Sequence, residues 1–436
     1  MLKTLDKSNI KGKRILLRVA YDIALENETG EWRVSEDGRI RATLQTINYL
    51  LKNGCSIVLM SWLGRPKPGV VEDQYKMDAV AKRLEELLHV PVKKIDSTAD
   101  EQAYAAATQL MPREILMVEN TRFVVGEKEA DADISRQMAR LGEFVVYDAF
   151  AQSHRVHAST TGILENHQNT ACAGFLMEKE LKVLGQILKS PMEPFVVVLG
   201  GAKVSDKIAM IRNILDKAAV ILVGGALANP FLKAKGYTIG SSLVESAFVD
   251  EAKGGVQSDA VEIARELMQK IKDDAVPHEL IPQSLPKECE ADLLKLQLPY
   301  DVVIAKKKAD GVIDDSTIYI KKVGKGAGLC GADEAILDIG PMTQKVYSEI
   351  IKQGRTIFWN GPMGFSENFN FSFGTKEVAE AIAETKGFSI LGGGDTESVI
   401  SSLGLTEEYG HVSTGGGASL ELLGGAELPV MKYLVE

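Results

Sequence analysis

The 436-residue sequence has little cysteine, and nothing organises what it has: Cys55, Cys172, Cys289 and Cys330 lie far apart and no C-x-x-C pair occurs. That spacing argues against a disulfide framework or a thiolate metal site and leaves reduced thiols. No apolar run is long enough to span a bilayer, and the first residues, MLKTLDKSNIKGKR, contain no apolar signal core. A cytoplasmic protein without membrane contact is expected. A basic surplus is missing too. With 50 basic and 60 acidic residues the net charge is −10, which argues against a general nucleic-acid binder while leaving room for a local basic cleft. There is no Walker A motif, no protein-kinase H-R-D set and no G-x-G-x-x-G. The last absence disfavours a nicotinamide-dependent dehydrogenase. The six histidines show no metal-ligand spacing. His154 and His157 flank Arg155 in SHRVHAS, and a pair three residues apart without other ligands is a weak metal signal.

What is present is alternation. RILLRVAY (14–21), CSIVLMS (55–61), EILMVEN (114–120) and EFVVYDAF (143–150) read as buried strands. Between them, GRIRATLQTINYLLKNG and MDAVAKRLEELLHV repeat apolar residues at helical spacing. The pattern resumes with PFVVVLGGAK (194–203), AVILVGGAL (219–227), DVVIAKK (301–307), RTIFWNGPMG (355–364) and GFSILGGGD (387–395). Strands alternating with helices predict parallel sheets covered on both faces, and the length predicts two domains. The fold class expected is α/β, with two doubly wound parallel-sheet domains joined by a hinge helix. That helix is AGFLMEKELKVLGQILKS (173–190), which ends at PMEP. The first domain then covers 1–172 and the second 191–404. The charged, irregular stretch 245–298 reads as a surface insertion.

Glycine clusters follow strands four times in the second half: LGGAKVSDKI, VGGALANPF, LGGGDTESVI and STGGGASLELL. In parallel sheets the ligand crevice lies beyond the carboxyl ends of the strands. Glycine there lets backbone N–H groups approach an anion at the positive end of the next helix. Lys203 and Lys207 sit at one such helix start, where cations oppose the macrodipole unless an anion is bound or an acid such as Asp206 pairs with them. Asp395 in GGGDT suits either a helix cap or one oxygen contact to Mg²⁺ beside nucleotide phosphates. The first half carries arginines instead: Arg39, Arg65, Arg122 and Arg155, each beside a strand end or helix start. A planar guanidinium fork suits phosphate or carboxylate. Any one of them fits a surface ion pair, but four at equivalent places suggest a pocket for a small anion.

AGFLMEKEL, GGAKVSDKI, WNGPMG, LGGGDT and HVSTGGGASLELL, in that order, resemble the phosphoglycerate kinase family over nearly the whole chain. The resemblance implies a monomeric hinge enzyme that moves a phosphoryl group reversibly between 1,3-bisphosphoglycerate and ADP, with Mg²⁺ as cofactor to ATP/ADP. It assigns the acid to the first domain and the nucleotide to the second, and it returns the chain to the first domain over 405–436. By motif, Arg39 matches the arginine that neutralises the transferring group and Lys203 the lysine that follows it. The acid pocket maps to Ala20, Asp22, Arg39, Trp62, Arg65, Arg122 and Arg155. The nucleotide site maps to Gly201, Lys207, Gly225, Leu337, Asn360, Glu367, Gly393, Gly394, Asp395 and Thr396, with Asp395 the metal contact and Glu367 on the ribose hydroxyls.

The departures from the family pattern are concentrated. Where the family writes R-V-D-F-N-V-P, this chain has RVAYDIA, with Ala20 for the aspartate and Asp22 for the asparagine. Where the family writes S-H-L-G-R-P, Trp62 replaces the histidine. Ala20 makes no side-chain hydrogen bond, Asp22 adds negative charge, and Trp62 donates only through its indole N–H. Two outcomes follow: a pocket reshaped for a different phosphorylated carboxylic acid, or a paralogue that kept nucleotide binding and lost activity. On the nucleotide side, Ala226 and Ile336 stand where the family has glycine, which bears on base preference, and Lys306 replaces an aspartate.

Overall fold

The computed structural model describes residues 1–245, 247–250, 255–271, 274–285, 293–308, 310–324 and 328–436. Cys289 and parts of the 245–298 stretch lie outside the described residues. The chain forms two compact units, Met1–Val183 with Glu427–Glu436, and Leu184–Ala426. The division falls inside one continuous helix, Phe175–Lys189.

In the first unit the apolar runs become strands β1 (Arg14–Val19), β4 (Ser56–Met60), β5 (Val92–Lys94), β6 (Ile115–Met117), β7 (Phe144–Asp148) and β8 (Ala171–Ala173). A hairpin, β2 (Leu25–Glu28) and β3 (Glu31–Val34), stands apart from them. The six form one parallel sheet in the order β5-β6-β4-β1-β7-β8. Leu16 of β1 lies opposite Val58 of β4 and Val145 of β7. Helix Gly38–Lys52 packs Ile40, Ile47 and Leu50 inward, at the spacing its sequence predicts. The chain builds outward from β1 on one side and then returns to lay β7 on the other. The loops that follow β1, β4, β6 and β7 therefore converge at this switch point. At the edge the Lys3 N–H donates to the Leu434 carbonyl at 2.8 Å, and Leu2 bridges to Val435.

The second unit repeats the plan with β9 (Phe195–Leu199), β10 (Val220–Val223), β13 (Leu296–Gln297), β17 (Thr356–Asn360), β18 (Phe388–Gly392) and β19 (His411–Ser413). Their order is β13-β10-β9-β17-β18-β19, and every pairing is parallel. A small pair, β11 (Phe248–Asp250) and β12 (Val256–Ser258), is added. So is an antiparallel sheet of β14 (Asp301–Lys307), β15 (Ile313–Lys322) and β16 (Glu334–Ile339).

Two sequence expectations need correction here. The return to the first unit begins at Glu427, not 405. Residues before that remain because β19 completes the second sheet's edge on β18 and helix Gly417–Leu423 packs on helix Ser205–Ile214, where Asn213 donates to the Leu423 carbonyl at 2.7 Å. The stretch 245–298 is also not merely a surface insertion. Its helix Ala260–Lys270 buries Ile263, Ala264 and Leu267. Leu280, Leu285 and Leu293 join the core around Tyr347 and Trp359. In helix Ala260–Lys270, Glu262, Arg265, Glu266 and Lys270 are exposed, opposite the buried apolar face. No helix among the described residues is long and apolar enough to cross a membrane.

Candidate active site

The converging loops of the first unit gather the arginines around a tryptophan. Trp62, just after β4, is 2% exposed. The guanidinium carbon of Arg18 lies 4.6 Å from its ring centre and that of Arg122 4.5 Å. Cation–π attraction to each guanidinium holds the indole. The His157 ring adds a tilted contact at 5.0 Å. The indole N–H donates to Asp22 Oδ2 at 3.3 Å, and the Gly64 N–H donates to Asp22 Oδ1 at 2.8 Å. Arg122 Nη1 lies 3.8 Å from Asp22 Oδ2 and donates to the Gly64 carbonyl. Arg39, in the first turn of helix Gly38–Lys52, donates to the Asp22 backbone carbonyl. Arg65 and Arg155 are exposed and close enough to Arg122 for their positive charges, after burial, to lower its pKa. Ala20 is buried, 5% exposed, and offers no polar atom. Every acid-pocket residue expected from sequence thus lies on one of these loops or at the start of the helix beside them.

One member of the cluster escaped the sequence reading. Arg18 sits inside β1, where an apolar strand gave no reason to look for charge, and it is fully buried. Its Nε donates to the Ser159 carbonyl at 2.8 Å. Burial lowers its pKa, an effect that Tyr147 and Glu127 oppose. Glu127, also buried, accepts from the Thr121 hydroxyl and the Ser159 N–H, each at 3.0 Å. Burial raises its pKa. Burial, reinforced by the surrounding cations, pushes His157 down to about 4; burial with Arg155 does the same to His154. Both imidazoles are therefore neutral at pH 7, and the arginines carry the positive charge.

In the second unit the glycine loops have two functions, not one. The N–H groups of Gly200, Gly201, Gly224 and Gly225 donate to the carbonyls of Asn360, Pro362, Leu199 and Met363 at 2.7–2.9 Å. Those amides are consumed by bonds to neighbouring strand ends and loops, so the first two clusters are places where backbones cross rather than open anion cradles. A Cβ at Gly200 would stand 2.0 Å from the Pro362 carbonyl oxygen, and one at Gly225 2.6 Å from the same atom. The third cluster differs. Gly393, at φ +102°, precedes helix Gly394–Ser402, whose first amides have no partner within the helix. Asn360 donates to the Gly392 carbonyl at 2.8 Å, and the Thr396 hydroxyl donates to it at 3.1 Å while accepting from the Gly361 N–H at 3.3 Å. Asn360 and Thr396 hold that loop in place.

Asp395 is exposed within the first turn of this helix and makes no cap hydrogen bond. Of the two readings open in the sequence, the cap is removed. Lys207 is buried, and burial lowers its pKa while Asp206 and Asp395 raise it. The GGAK and GGGD loops thus bring this ammonium within electrostatic reach of Asp395. Gly201, at φ +84°, lies beside the Lys207 amine, to which a Cβ would come within 3.4 Å. Lys203 and Glu367 are exposed. Strand β16, which carries Ile336 and Leu337, packs against Gly225–Leu227, so Ala226 joins the same wall. The Leu337 carbonyl accepts from the Phe365 N–H at 2.7 Å. Behind this wall Asp338 is buried and accepts from the Gly374 N–H at 2.9 Å. Burial pushes its carboxyl up to about 7.

Among the described residues one carboxylate trio, Asp78, Asp96 and Glu119, has the spacing of metal ligands. Lys94 fills it, with Nζ 2.9 Å from Asp78, 2.6 Å from Glu119 and in contact with Asp96. It is an ion-pair network, not a vacant metal site.

Residues 5–426 match the profile of the family described as "Phosphoglycerate kinase". The chain belongs to the phosphoglycerate kinase family. It is 41% identical to the phosphoglycerate kinase of Moorella thermoacetica over 434 residues, 99% of each chain. It is 41% identical to that of Herpetosiphon aurantiacus over 418 residues, 96% of this chain and 95% of the other. The solved phosphoglycerate kinase of Coxiella burnetii aligns over 100% of this chain and 99% of its own, with TM-score 0.76 and 32% identity. That of Pyrococcus horikoshii aligns over 100% and 98%, with TM-score 0.78 and 31% identity. The two parallel six-stranded sheets are the α/β fold of these structures, and family membership makes the chain a phosphotransferase.

Proposed function

We infer that the protein transfers a phosphoryl group reversibly between 1,3-bisphosphoglycerate and ADP. The observation that carries this reading is the convergence of Arg39, Arg65, Arg122 and Arg155 on the loops after one set of strands, around Trp62 and Asp22. Such a cluster suits a small molecule with phosphate and carboxylate groups. In the transfer, an oxygen of the ADP β-phosphate forms the new P–O bond, the bond to the acyl oxygen breaks, and the carboxylate leaves with the bonding pair. No proton needs to move, so the protein's task is to position the reactants and neutralise their charge. Arg39 and Lys203 are the residues assigned to the charge on the transferring group. Arg65, Arg122 and Arg155 hold the acid. Lys207, with the free amides at Gly394 and Asp395, holds nucleotide phosphates. Ala226, Ile336 and Leu337 form the wall for the base, and Glu367 is assigned to the ribose.

The Asp395 carboxylate, exposed and uncommitted to a cap, is the protein oxygen suited to Mg²⁺. One carboxylate beside substrate phosphates fits that ion's habits. When bound, Mg²⁺ supplies charge neutralisation to those phosphates. Asp22 and Trp62 weigh against the reading of a paralogue that lost its activity. Drift tends to leave broken partnerships, whereas Asp22 is bonded to Trp62 and Gly64 and lies beside Arg122. A coupled assay of ADP release from Mg·ATP and 3-phosphoglycerate tests the proposal. No turnover with that acid or with related phosphorylated acids at millimolar concentration sinks it.

A further inference from the structure

Arg122 and Arg155 stand on separate loops, after β6 and after β7. Two guanidiniums on long side chains serve one ligand only where their backbones are held at the right separation. Glu127 lies between these loops and is 1% exposed. One of its carboxylate oxygens accepts from the Thr121 hydroxyl at 3.0 Å and from the Ser159 hydroxyl. The other accepts from the Ser159 N–H at 3.0 Å. Its backbone carbonyl accepts from the Ala158 N–H at 2.8 Å. Thr121 directly precedes Arg122. On the other loop the Thr160 hydroxyl donates to the Arg155 carbonyl at 2.8 Å and accepts from the His157 N–H at 2.9 Å. The turn that Glu127 holds at 158–160 therefore also holds Arg155. A carboxylate is costly to bury unless it is bonded and paired. Three donors meet this one, and Arg18 lies near enough for its charge to act on it. Apolar contact could join two loops at less cost, but directional hydrogen bonds fix a distance.

Resting on the phosphotransfer reading, we propose that Glu127 is a positioning residue for the acid substrate. It sets the separation of Arg122 and Arg155 by joining Thr121 on one loop to Ser159 on the other. Buried as it is, it does not meet the substrate, and its effect on binding passes through the two loops. What matters for the acid is the geometry of its hydrogen bonds. Its charge serves a separate purpose, as the counter-charge to the buried Arg18. The two contributions can be separated, because an amide of the same shape keeps the bonds and loses the charge.

The experiment compares full-length wild type, Glu127→Ala, Glu127→Gln and Thr121→Val. The readouts are 3-phosphoglycerate affinity by calorimetry, kcat and KM for both substrates with Mg·ATP, and thermal unfolding. In Glu127→Gln the amide oxygen can take the Ser159 N–H while its NH2 donates to the two hydroxyls, which rotate to accept. Both Glu127 variants leave Arg18 without its counter-charge, so both should lower the unfolding midpoint. Only Glu127→Ala should weaken 3-phosphoglycerate, by ~10-fold or more, with Glu127→Gln within about threefold of wild type. KM for ATP should not change, and kcat should change less than KM for the acid. Thr121→Val cuts one end of the link without touching the charge. It should weaken the acid alone and add nothing in the Glu127→Ala background, because both act through one link. Equal weakening by Glu127→Gln and Glu127→Ala would show that the charge, not the link, matters, and overturns the proposal. So does unchanged acid affinity in Thr121→Val, which decides the matter even where Glu127→Ala fails to fold. Either result in an active enzyme leaves the phosphotransfer reading standing. A wild type that neither binds nor phosphorylates 3-phosphoglycerate takes down the reading and the inference together.

Discussion

The two units present anion-binding surfaces made of different material. In the first, the site is side chain: Trp62, Asp22 and a set of arginines, mutually stacked and bonded, on loops that could carry other residues. In the second, much of the site is backbone. Gly200, Gly201, Gly224 and Gly225 spend their amides on neighbouring loops, and Gly200, Gly225 and Gly361 have no room for a Cβ beside facing carbonyls. A pocket of side chains can be rewritten when partners change together. A crossing of backbones cannot be rewritten, because the smallest substitution meets main chain, which cannot rotate away. The departures from the family pattern follow this difference. In the acid pocket they alter hydrogen-bonding chemistry at positions 20, 22 and 62. In the nucleotide unit, Ala226 and Ile336 are added bulk at the edge of a wall.

Charge neutralisation during transfer should show no such asymmetry, and it carries the largest expected effects. Arg39→Ala in the first unit and Lys203→Ala in the second should each lower kcat by ~10²- to 10³-fold, the cost of deleting one pre-positioned charge or donor. Steady-state kinetics check this. A variant that raised KM and left kcat intact would move that residue from the transfer step to ground-state binding.

The material of each site is tested next by adding one carbon. A Cβ at Gly200 lies 2.0 Å from the Pro362 carbonyl oxygen and 2.6 Å from the Met363 methyl carbon. Gly200→Ala should destabilise the second unit by about 2–4 kcal/mol as overpacking at a point where main chain must move. Gly394→Ala meets nothing within 4 Å. It should leave the unfolding midpoint nearly unchanged while raising KM for ATP, because the added methyl stands where the free amides meet phosphate. Differential scanning calorimetry with and without nucleotide measures both, and equal midpoints for the two variants would erase the distinction.

Much of this was readable in the sequence because it is written in local pattern. The strand runs and helical spacings around 14–60 and 355–402 became the expected elements, since continuous apolar runs fit a sheet covered on both faces. The arginines announced themselves by type. Three features stayed hidden because they depend on tertiary placement. Arg18 is a charge inside an apolar strand, and only the fold puts Trp62 over it. The glycine clusters look alike as text, yet one kind spends its amides on a neighbouring loop and the other leaves them open. Asp395 and a true N-cap share a sequence context, and only the helix start at Gly394 separates them. The stretch 245–298 read as insertion because charged residues dominate its composition, while Leu280, Leu285 and Leu293 reach the core.

The units should also part company on acidification. In the first, burial lowers the pKa of His154 and His157 to about 4 and depresses His167 as well. An unfolded histidine takes up its proton near 6.5, so the stability these groups contribute is present above that pH and is lost as pH falls toward 4. The effect is on the order of 1 kcal/mol each for His154 and His157 once solvent screening is allowed for. Asp148, raised to about 6 by burial, opposes the histidines. In the second unit Asp338 is raised to about 7 from an ordinary value of 3.8. Its contribution is full below 3.8 and is lost as pH rises through 7, so acid relieves a buried charge there. Between pH 7 and 5 the first unit should lose protection relative to the second in hydrogen exchange, corrected for intrinsic rates. Asp338→Asn should remove the second unit's gain. Parallel loss in both units would show that other groups dominate.

The smallest expected effect concerns Lys306, the departure that looked strangest in the sequence. The side chain is about half exposed, and its ammonium lies 3.2 Å from Asp333 Oδ2 on the neighbouring turn. Its backbone N–H, not its side chain, makes the bond to the Thr317 hydroxyl at 2.8 Å, so substitution leaves that anchor in place. A solvated pair of this kind contributes ~0–1 kcal/mol, most of it screened at ordinary ionic strength. Lys306→Asp would put two carboxylates near one another on an exposed strand, where both can rotate into water. The expected change is within about 0.5 kcal/mol in stability, with kcat and KM for both substrates unchanged. The contrast is with Asp22 in the first unit. Asp22 is tied to an indole, a backbone amide and a guanidinium, whereas Lys306 is tied to one flexible acid in water. If Lys306→Asp altered ATP affinity several-fold, the three-stranded sheet that carries it would belong to the nucleotide site, and the second unit's side chains would be as open to rewriting as those of the first.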